Sequence, residues 1–228
     1  MDERKSLTQD QAYELGMKPA LNTESIPLGP LASYTLIHSP RNLCFALARY
    51  KFCAKMLEGM KKVLEVGCGD GFGVPITAQA VGSLVAVDRD ADDTEGNRQR
   101  LGIIKNVEFR TLDLCRNAPG EVFDAAYSID VIEHIEPRDD DQFMGNICKS
   151  LKEDGVCIIG TPNVNGDRFS PYNGRIQHIN LKSHKQLKEL VGKYFKNVFM
   201  FSMNDEVVHT GFQEMAHYLF AMGVGKKN

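Results

Sequence analysis

The sequence predicts an α/β fold: a mostly parallel sheet with helices on both faces and an antiparallel pair of strands near its end. Three observations predict it. From residue 61 onward, short apolar runs alternate with segments of helical period, the pattern of successive βαβ units. Runs such as "GVCIIG" over 155–160 are apolar at consecutive positions, which suits strands buried on both faces. A glycine-rich turn, "GCGDGFG" over 67–73, follows directly on the first apolar run.

The elements follow in order. Residues 1–40 read as irregular, punctuated by Pro19, Pro27, Gly29, Pro30 and Pro40. Residues 41–58 read as a helix, because Leu43, Leu47, Tyr50, Ala54 and Leu57 share one face at a three-to-four spacing. Residues 1–60 are therefore expected to be an N-terminal helical extension and 61–228 a single domain. "KKVLEV" is the first strand. "VPITAQAV" (74–81) is a helix with Pro75 in its first turn. "SLVAVD" (83–88), "VEFRTLD" (107–113), "FDAAYSI" (123–129) and "GVCIIG" are four further strands. Helices over 91–101 and 139–152 join them, the second burying Phe143, Met144, Ile147, Cys148 and Leu151. A long loop follows Gly160. Ser183 and Gln186 then form a capping box at the head of a helix. The closing runs "NVFMFSM" and "MAHYLFAM" have no helix between them, so they are expected to pair antiparallel at the sheet edge.

Composition narrows the function. The chain has 228 residues, 43% of them hydrophobic, enough for one full core. A net charge of −3 argues against a broad basic surface for nucleic acid. The six cysteines include no CxxC pair, so a zinc ribbon or redox motif is not supported. The start "MDERKSLTQDQ" has no apolar stretch of the kind a signal peptide carries, and no run reaches the length of a membrane span. A cytoplasmic protein is expected.

The glycine turn asks which nucleotide it holds. No GK[ST] follows, which rules out a phosphate-binding P-loop. The dinucleotide fingerprint GxGxxG fails because its third glycine would be Phe72. What stands here is Gly67, Gly69 and Gly71 in GxGxG, preceded by Glu65. A carboxylate there repels a pyrophosphate and welcomes an ammonium group. Asp88 and Asp113 end the next two strands, and an acid ending the second strand is placed to accept ribose hydroxyls.

These features together resemble the class I S-adenosylmethionine-dependent methyltransferases. The resemblance is carried by "VLEVGCGDGFG", "VAVDRD", "FRTLDL", "FDAAYSIDVIEHI" and "LKEDGVCIIGTPN", in the family's order over about residues 60–200. It implies a Rossmann-like seven-stranded sheet with the last strand antiparallel. It assigns Glu65, Gly67, Cys68, Gly69, Asp70 and Gly71 to the methionine part of S-adenosyl-L-methionine. Asp88 falls to the ribose, Asp113 and Leu114 to the adenine, and Arg89 packs beside the adenosine. Ser128 opens the stretch beside the reactive methyl.

That stretch, "SIDVIEHIEP", brings Asp130, Glu133 and His134 together after the fourth strand. An acid–histidine cluster suits removal of a proton from a hydroxyl acceptor, so Asp130 and His134 are expected to be catalytic. The pattern is similar to the metal-binding pattern of ubiquinone-biosynthesis O-methyltransferases and of small-RNA 2′-O-methyltransferases, the latter with a later histidine; the resemblance implies a divalent metal held by these residues, with His178 as the fourth ligand and a further catalytic candidate. In those families the first acid is Glu, whereas Asp130 is shorter. The loop 161–179 carries Arg168, Tyr172 and Arg175 as an acceptor clamp, and His209 is a further acceptor-side candidate. The expected activity is O-methylation of a small molecule or a sugar or glycan precursor. An RNA 2′-O-methyltransferase with a metal site and a nicotinamide-binding oxidoreductase are the alternatives.

Overall fold

In the computed structural model of the chain, residues 6–169 and 176–227 are described. Five strands run parallel: β1 (Lys62–Val66), β2 (Ser83–Asp88), β3 (Val107–Thr111), β4 (Phe123–Ile129) and β5 (Leu151–Pro162). With β6 (Phe195–Asn204), β7 (Val207–His209) and β8 (Tyr218–Lys226) they form one eight-stranded sheet of order β3-β2-β1-β4-β5-β8-β6-β7. The expected antiparallel pair is β6 with β8, but β8 lies inside the sheet, between β5 and β6. The sheet edge is instead β7, a three-residue strand that raises the count from seven to eight. It folds back on β6 through Asp205, whose φ is 50°, and three residues are too few to carry a period in the sequence.

The helices are α1 (Gln9–Leu21), α2 (Pro30–His38), α3 (Pro40–Met56), α4 (Val74–Ala78), α5 (Ala91–Leu101), α6 (Asp140–Lys149) and α7 (His184–Gly192). Each strand sends alternate side chains to opposite faces. Leu64, Val66, Val85, Val87, Ala126 and Ile159 pack with Phe143, Met144 and Ile147 of α6 and Leu187 and Val191 of α7. Val63, Leu84, Ala86, Ala125 and Ile158 pack with Ala48, Phe52 and Cys53 of α3, Val74 and Ala78 of α4, and Leu101 of α5. Each large apolar side chain so buried contributes about 1.5–3 kcal/mol. No helix among the described residues is long and apolar enough to cross a membrane.

The N-terminal segment departs from the irregular structure expected of it. α1 opens on a capping box, with Thr8 Oγ1 accepting from Gln11 N at 3.3 Å. Pro30 and Pro40 open α2 and α3. Proline at the first helical position has no intrahelical donor to lose, so these prolines mark helix starts where the sequence reading took them as loop punctuation. α4 stops at Ala78, short of the expected end at 81. Leu151, expected in α6, is the first residue of β5 and is buried.

Candidate active site

The strand order reverses between β1 and β4, where successive connections leave toward opposite sides. Open α/β sheets bind ligands in the crevice at that switch point, outside the carboxyl ends of the strands. Here it is a cavity of about 260 Å³ walled by Val66, Gly67, Gly69, Asp88, Arg89, Leu112, Asp113, Leu114, Cys115, Asp130, Val131, His134, Ile135 and Phe143. The wall is apolar around Leu112, Leu114, Ile135 and Phe143. Carboxylates stand at three successive strand ends.

Why the sequence shapes the cavity this way begins with the glycine turn. Gly67, Gly69 and Gly71 have φ of 77°, 48° and 72°, the left-handed region that glycine enters without steric cost. Gly67 also has a close neighbour: a Cβ there would stand 2.2 Å from Val131 Cγ2. The turn is tied down from two sides. Gly69 N donates to Asp88 Oδ2 at 2.8 Å, and Asn97 Nδ2, on α5, donates to Gly69 O at 2.7 Å. Across the crevice β4 ends at Ile129, and the next residue, Asp130, is a non-glycine residue with φ of 57°. That kink throws Val131 against Gly67 and starts the 3-10 turn Ile132–His134.

The residues assigned by resemblance separate into two groups. Gly67, Gly69, Asp88, Arg89, Asp113, Leu114, Asp130 and His134 line the cavity. Asp88 Oδ1 accepts from Asp90 N at 3.0 Å, and Asp113 Oδ1 from Cys115 N at 2.9 Å, so both acids hold backbone as well as facing the space. Glu65, Cys68, Asp70, Gly71 and Ser128 are not in the cavity wall. Ser128 Oγ donates to Val66 O at 3.0 Å and ties β4 to β1. The Cys68 thiol accepts from Asn97 Nδ2 at 3.7 Å. Asp70 Oδ2 accepts from Ala32 N at 2.8 Å and so anchors the first turn of α2 against the glycine loop.

Glu65 is 1% exposed, and its Oε2 accepts from Tyr127 Oη at 2.7 Å while Oε1 has no partner. Burial pushes its carboxyl up from 4.5 to about 7; the Tyr127 bond opposes the shift and the Asp88 charge adds to it. The folded state therefore holds this proton more tightly than the unfolded chain. Stability is full below about pH 4.5, falls as pH rises to about 7, and is level above. In ligand-free protein, Glu65→Gln is expected to remove this decline, gaining on the order of 3 kcal/mol relative to wild type between pH 5 and pH 8. Urea unfolding at the two pH values checks it; an unchanged difference would clear Glu65 of any unpaired charge.

A second cluster adjoins the cavity. Potential ligand atoms of Glu133, His134 and His178 all lie within 4.8 Å of one another, and the two imidazole rings stand 5.1 Å apart, edge to face. His134 Nδ1 sits 3.0 Å from Gln177 O. A carbonyl accepts only, so Nδ1 carries a proton, and in the neutral ring it is Nε2 that holds the lone pair. Glu133 is fully buried. Its Oε2 accepts from Thr161 Oγ1 at 3.0 Å, and its Oε1 and His178 Nδ1 are buried without partners. Burial, with Asp130 nearby, drives the Glu133 carboxyl well above the ordinary range. Burial and the adjacent His134 hold His178 low. A neutral imidazole with an unpartnered nitrogen and a buried carboxyl with an unpartnered oxygen are what a bound cation would stabilise, so the donor set fits a divalent ion.

Asp130, expected as a ligand of that set, is turned elsewhere: its Oδ2 accepts from Arg49 Nη1 at 2.5 Å. Of the acceptor clamp, Tyr172 and Arg175 lie outside the described residues. Arg168 stacks on Phe169, 4.7 Å from the ring centroid. His209 bonds Asn204 Oδ1 at 2.9 Å on the β6–β7 hairpin. Sequence reasoning missed Arg49, Asn97 and the Val131–Gly67 contact. Arg49 lies off the apolar stripe of Leu43, Leu47, Tyr50, Ala54 and Leu57, so the helical period gave no signal for it.

A glycine turn under a switch-point crevice, facing strand-end acids, is the arrangement with which open α/β sheets bind a nucleotide-containing ligand. The profile of the methyltransferase-domain family matches residues 38–194, and the chain belongs to that family. Among its relatives is a probable S-adenosylmethionine-dependent methyltransferase of Mycobacterium tuberculosis, 28% identical over 103 residues, which are 45% of this chain and 36% of the relative. A ubiquinone biosynthesis O-methyltransferase of Chelativorans sp. is 27% identical over 140 residues, 60% of this chain and 54% of that protein. The matches thus span about a third to a half of those relatives' length. The methyltransferase domain of bacterial CtHen1-C superposes with a TM-score of 0.67 at 18% identity, covering 79% of this chain and 99% of that one; this likeness is one of fold.

Proposed function

We propose that the chain is an S-adenosylmethionine-dependent methyltransferase acting on a hydroxyl of a small molecule, a sugar or glycan precursor among the candidates. The single observation that carries the choice of oxygen is the convergence of Glu133, His134 and His178 beside the cavity. Such a cluster has chemistry to do when the acceptor must lose a proton, and little otherwise. The name of the Chelativorans relative is of the same kind.

Each residue has a part in this reading. Asp88 accepts the ribose hydroxyls while steadying Gly69. Leu112, Leu114, Ile135 and Phe143 receive the adenine between apolar surfaces, with Asp113 at the rim. Gly67 lets the donor's chain lie against bare backbone. The donor supplies a methyl group on a sulfonium, a leaving group that needs no covalent help from the protein. The protein's work is to align the acceptor and free its lone pair. Glu133, His134 and His178 would hold a divalent cation, which lowers the pKa of a bound hydroxyl. His134 Nε2, with its lone pair kept free by the Nδ1 bond to Gln177 O, is the atom placed to take a proton or a metal. A nicotinamide dinucleotide fits less well, because the turn lacks the third glycine of its fingerprint.

Calorimetry with S-adenosylhomocysteine against NADH tests the reading; binding of NADH alone would overturn it. Asp88→Ala is expected to weaken S-adenosylhomocysteine binding by about 1–3 kcal/mol, the loss of a charge-assisted bond, with the far-ultraviolet spectrum unchanged. Undiminished affinity would remove Asp88 from the site.

A further inference from the structure

Asn180 is buried and follows His178 by two residues. Its backbone N donates to Glu133 O at 3.0 Å. Its Nδ2 donates to Ile132 O at 3.3 Å and to Asp140 Oδ1 at 2.8 Å. Its Oδ1 accepts from Lys182 Nζ. Lys182 is itself buried and pairs with Asp140 Oδ2 at 2.8 Å, which closes a triad of Asp140, Asn180 and Lys182. Asp140 is the first residue of α6. The segment is also fixed at Lys182, whose O accepts from Val164 N, just beyond β5, at 3.1 Å. Taking an ion pair out of water costs several kcal/mol per ion, and apolar residues of the same volume fill a space at less cost. A buried pair whose two members both bond one amide therefore orients that amide.

What the amide joins is the two halves of the Glu133–His134–His178 cluster. Glu133 and His134 come from the 3-10 turn after β4, and His178 from the segment ahead of α7. Thr161 of β5 holds the Glu133 carboxyl, and Asn180 holds the backbone of the same residue. Gln177 O, three residues ahead of Asn180, accepts from Ile179 N at 3.1 Å and bonds His134 Nδ1 at 3.0 Å. We propose that Asn180, oriented by the Asp140–Lys182 pair, is the positioning residue of the cluster: it sets the turn that carries Glu133 and His134 against the segment that carries His178. Asn180 acts on this account through the backbone and touches neither donor nor acceptor. Loss of such an outer partner costs a metal site about 10- to 100-fold in affinity. The inference rests on the reading of the cluster as the place where a metal or a proton is handled.

The test has two readouts on the full chain. Calorimetry measures Mn²⁺ and S-adenosylhomocysteine separately, and nuclear magnetic resonance of the imidazole nitrogens follows the His134 tautomer in metal-free protein with the ring neutral. Wild type should show one tautomer, with the proton on Nδ1. Asn180→Ala is expected to weaken Mn²⁺ about 10- to 100-fold and to let the two tautomers mix. S-adenosylhomocysteine should stay within about threefold of wild type, which also shows that the cavity has folded. The double variant Asp140→Asn/Lys182→Met leaves no lone buried charge and keeps the Asn180 amide. It should move both readouts the same way by less, and it decides the matter if Asn180→Ala does not fold. Unchanged Mn²⁺ affinity and an unchanged tautomer in the folded variant would overturn the proposal. So would equal losses for Mn²⁺ and S-adenosylhomocysteine, the mark of general loosening. A wild type that binds no Mn²⁺ would instead overturn the metal reading of the cluster, and the tautomer alone then decides the role of Asn180.

Discussion

Gly67→Ala is expected to abolish donor binding and to lower stability by about 2–5 kcal/mol, the sum of a left-handed penalty and an overpacking penalty. Two effects coincide at this position. The backbone stands at φ 77°, and the added methyl would sit 2.2 Å from Val131 Cγ2. Val131 is β-branched and follows the kink at Asp130, so it has few rotamers with which to retreat. Either the glycine turn or the 3-10 turn Ile132–His134 must move, and both carry cavity residues. Val131→Ala combined with Gly67→Ala should recover part of the stability, because it removes the clash and leaves only the backbone strain. Thermal unfolding of the single and double variants separates the two terms. Additive losses would show that Gly67 and Val131 do not press on one another.

Glu133→Gln carries the second large effect. The amide keeps the volume of the carboxyl and can still accept from Thr161 Oγ1, but it cannot offer a charge. Binding of Mn²⁺ or Zn²⁺, followed by calorimetry, is expected to weaken by at least about tenfold, and methyl transfer to fall by about 100-fold or more. His178→Ala should follow in both respects. Asp130→Asn should leave metal affinity within about threefold, because Asp130 is bonded to Arg49 and is not one of the residues whose ligand atoms converge. Methyl transfer that withstands a chelator, with metal affinity unchanged in Glu133→Gln, would leave the cluster without a metal and His134 as the sole base.

The parallel half of the sheet was legible because its signals are local. A run such as "VCIIG" can be buried on both faces only in a central strand, and Ser183 with Gln186 announces a helix start within four residues. The N-terminal helices were harder to read. α1 buries no residue, so no apolar face betrays its period, and Pro30 and Pro40 mean the same thing at a helix start as in a loop until the neighbouring turn is seen. In the site, the cluster of Glu133 with His134 was visible because the two are adjacent. His178 joined it only as a partner suggested by resemblance, and the structure brings its ring within 5.1 Å of His134.

What the sequence determined by itself is the set of strand-end carboxylates and the turn that only glycines can make, since both follow from short-range backbone geometry. What the tertiary structure decided is which of those acids face the cavity. Asp88, Asp113 and Asp130 do, whereas Glu65 turns to Tyr127 and Asp70 to the first turn of α2. The reason is that a side chain's direction depends on what packs against its strand or turn. Here that is decided by α2 at Asp70, α3 at Asp130 and β4 at Glu65, elements distant from the glycine motif in the chain.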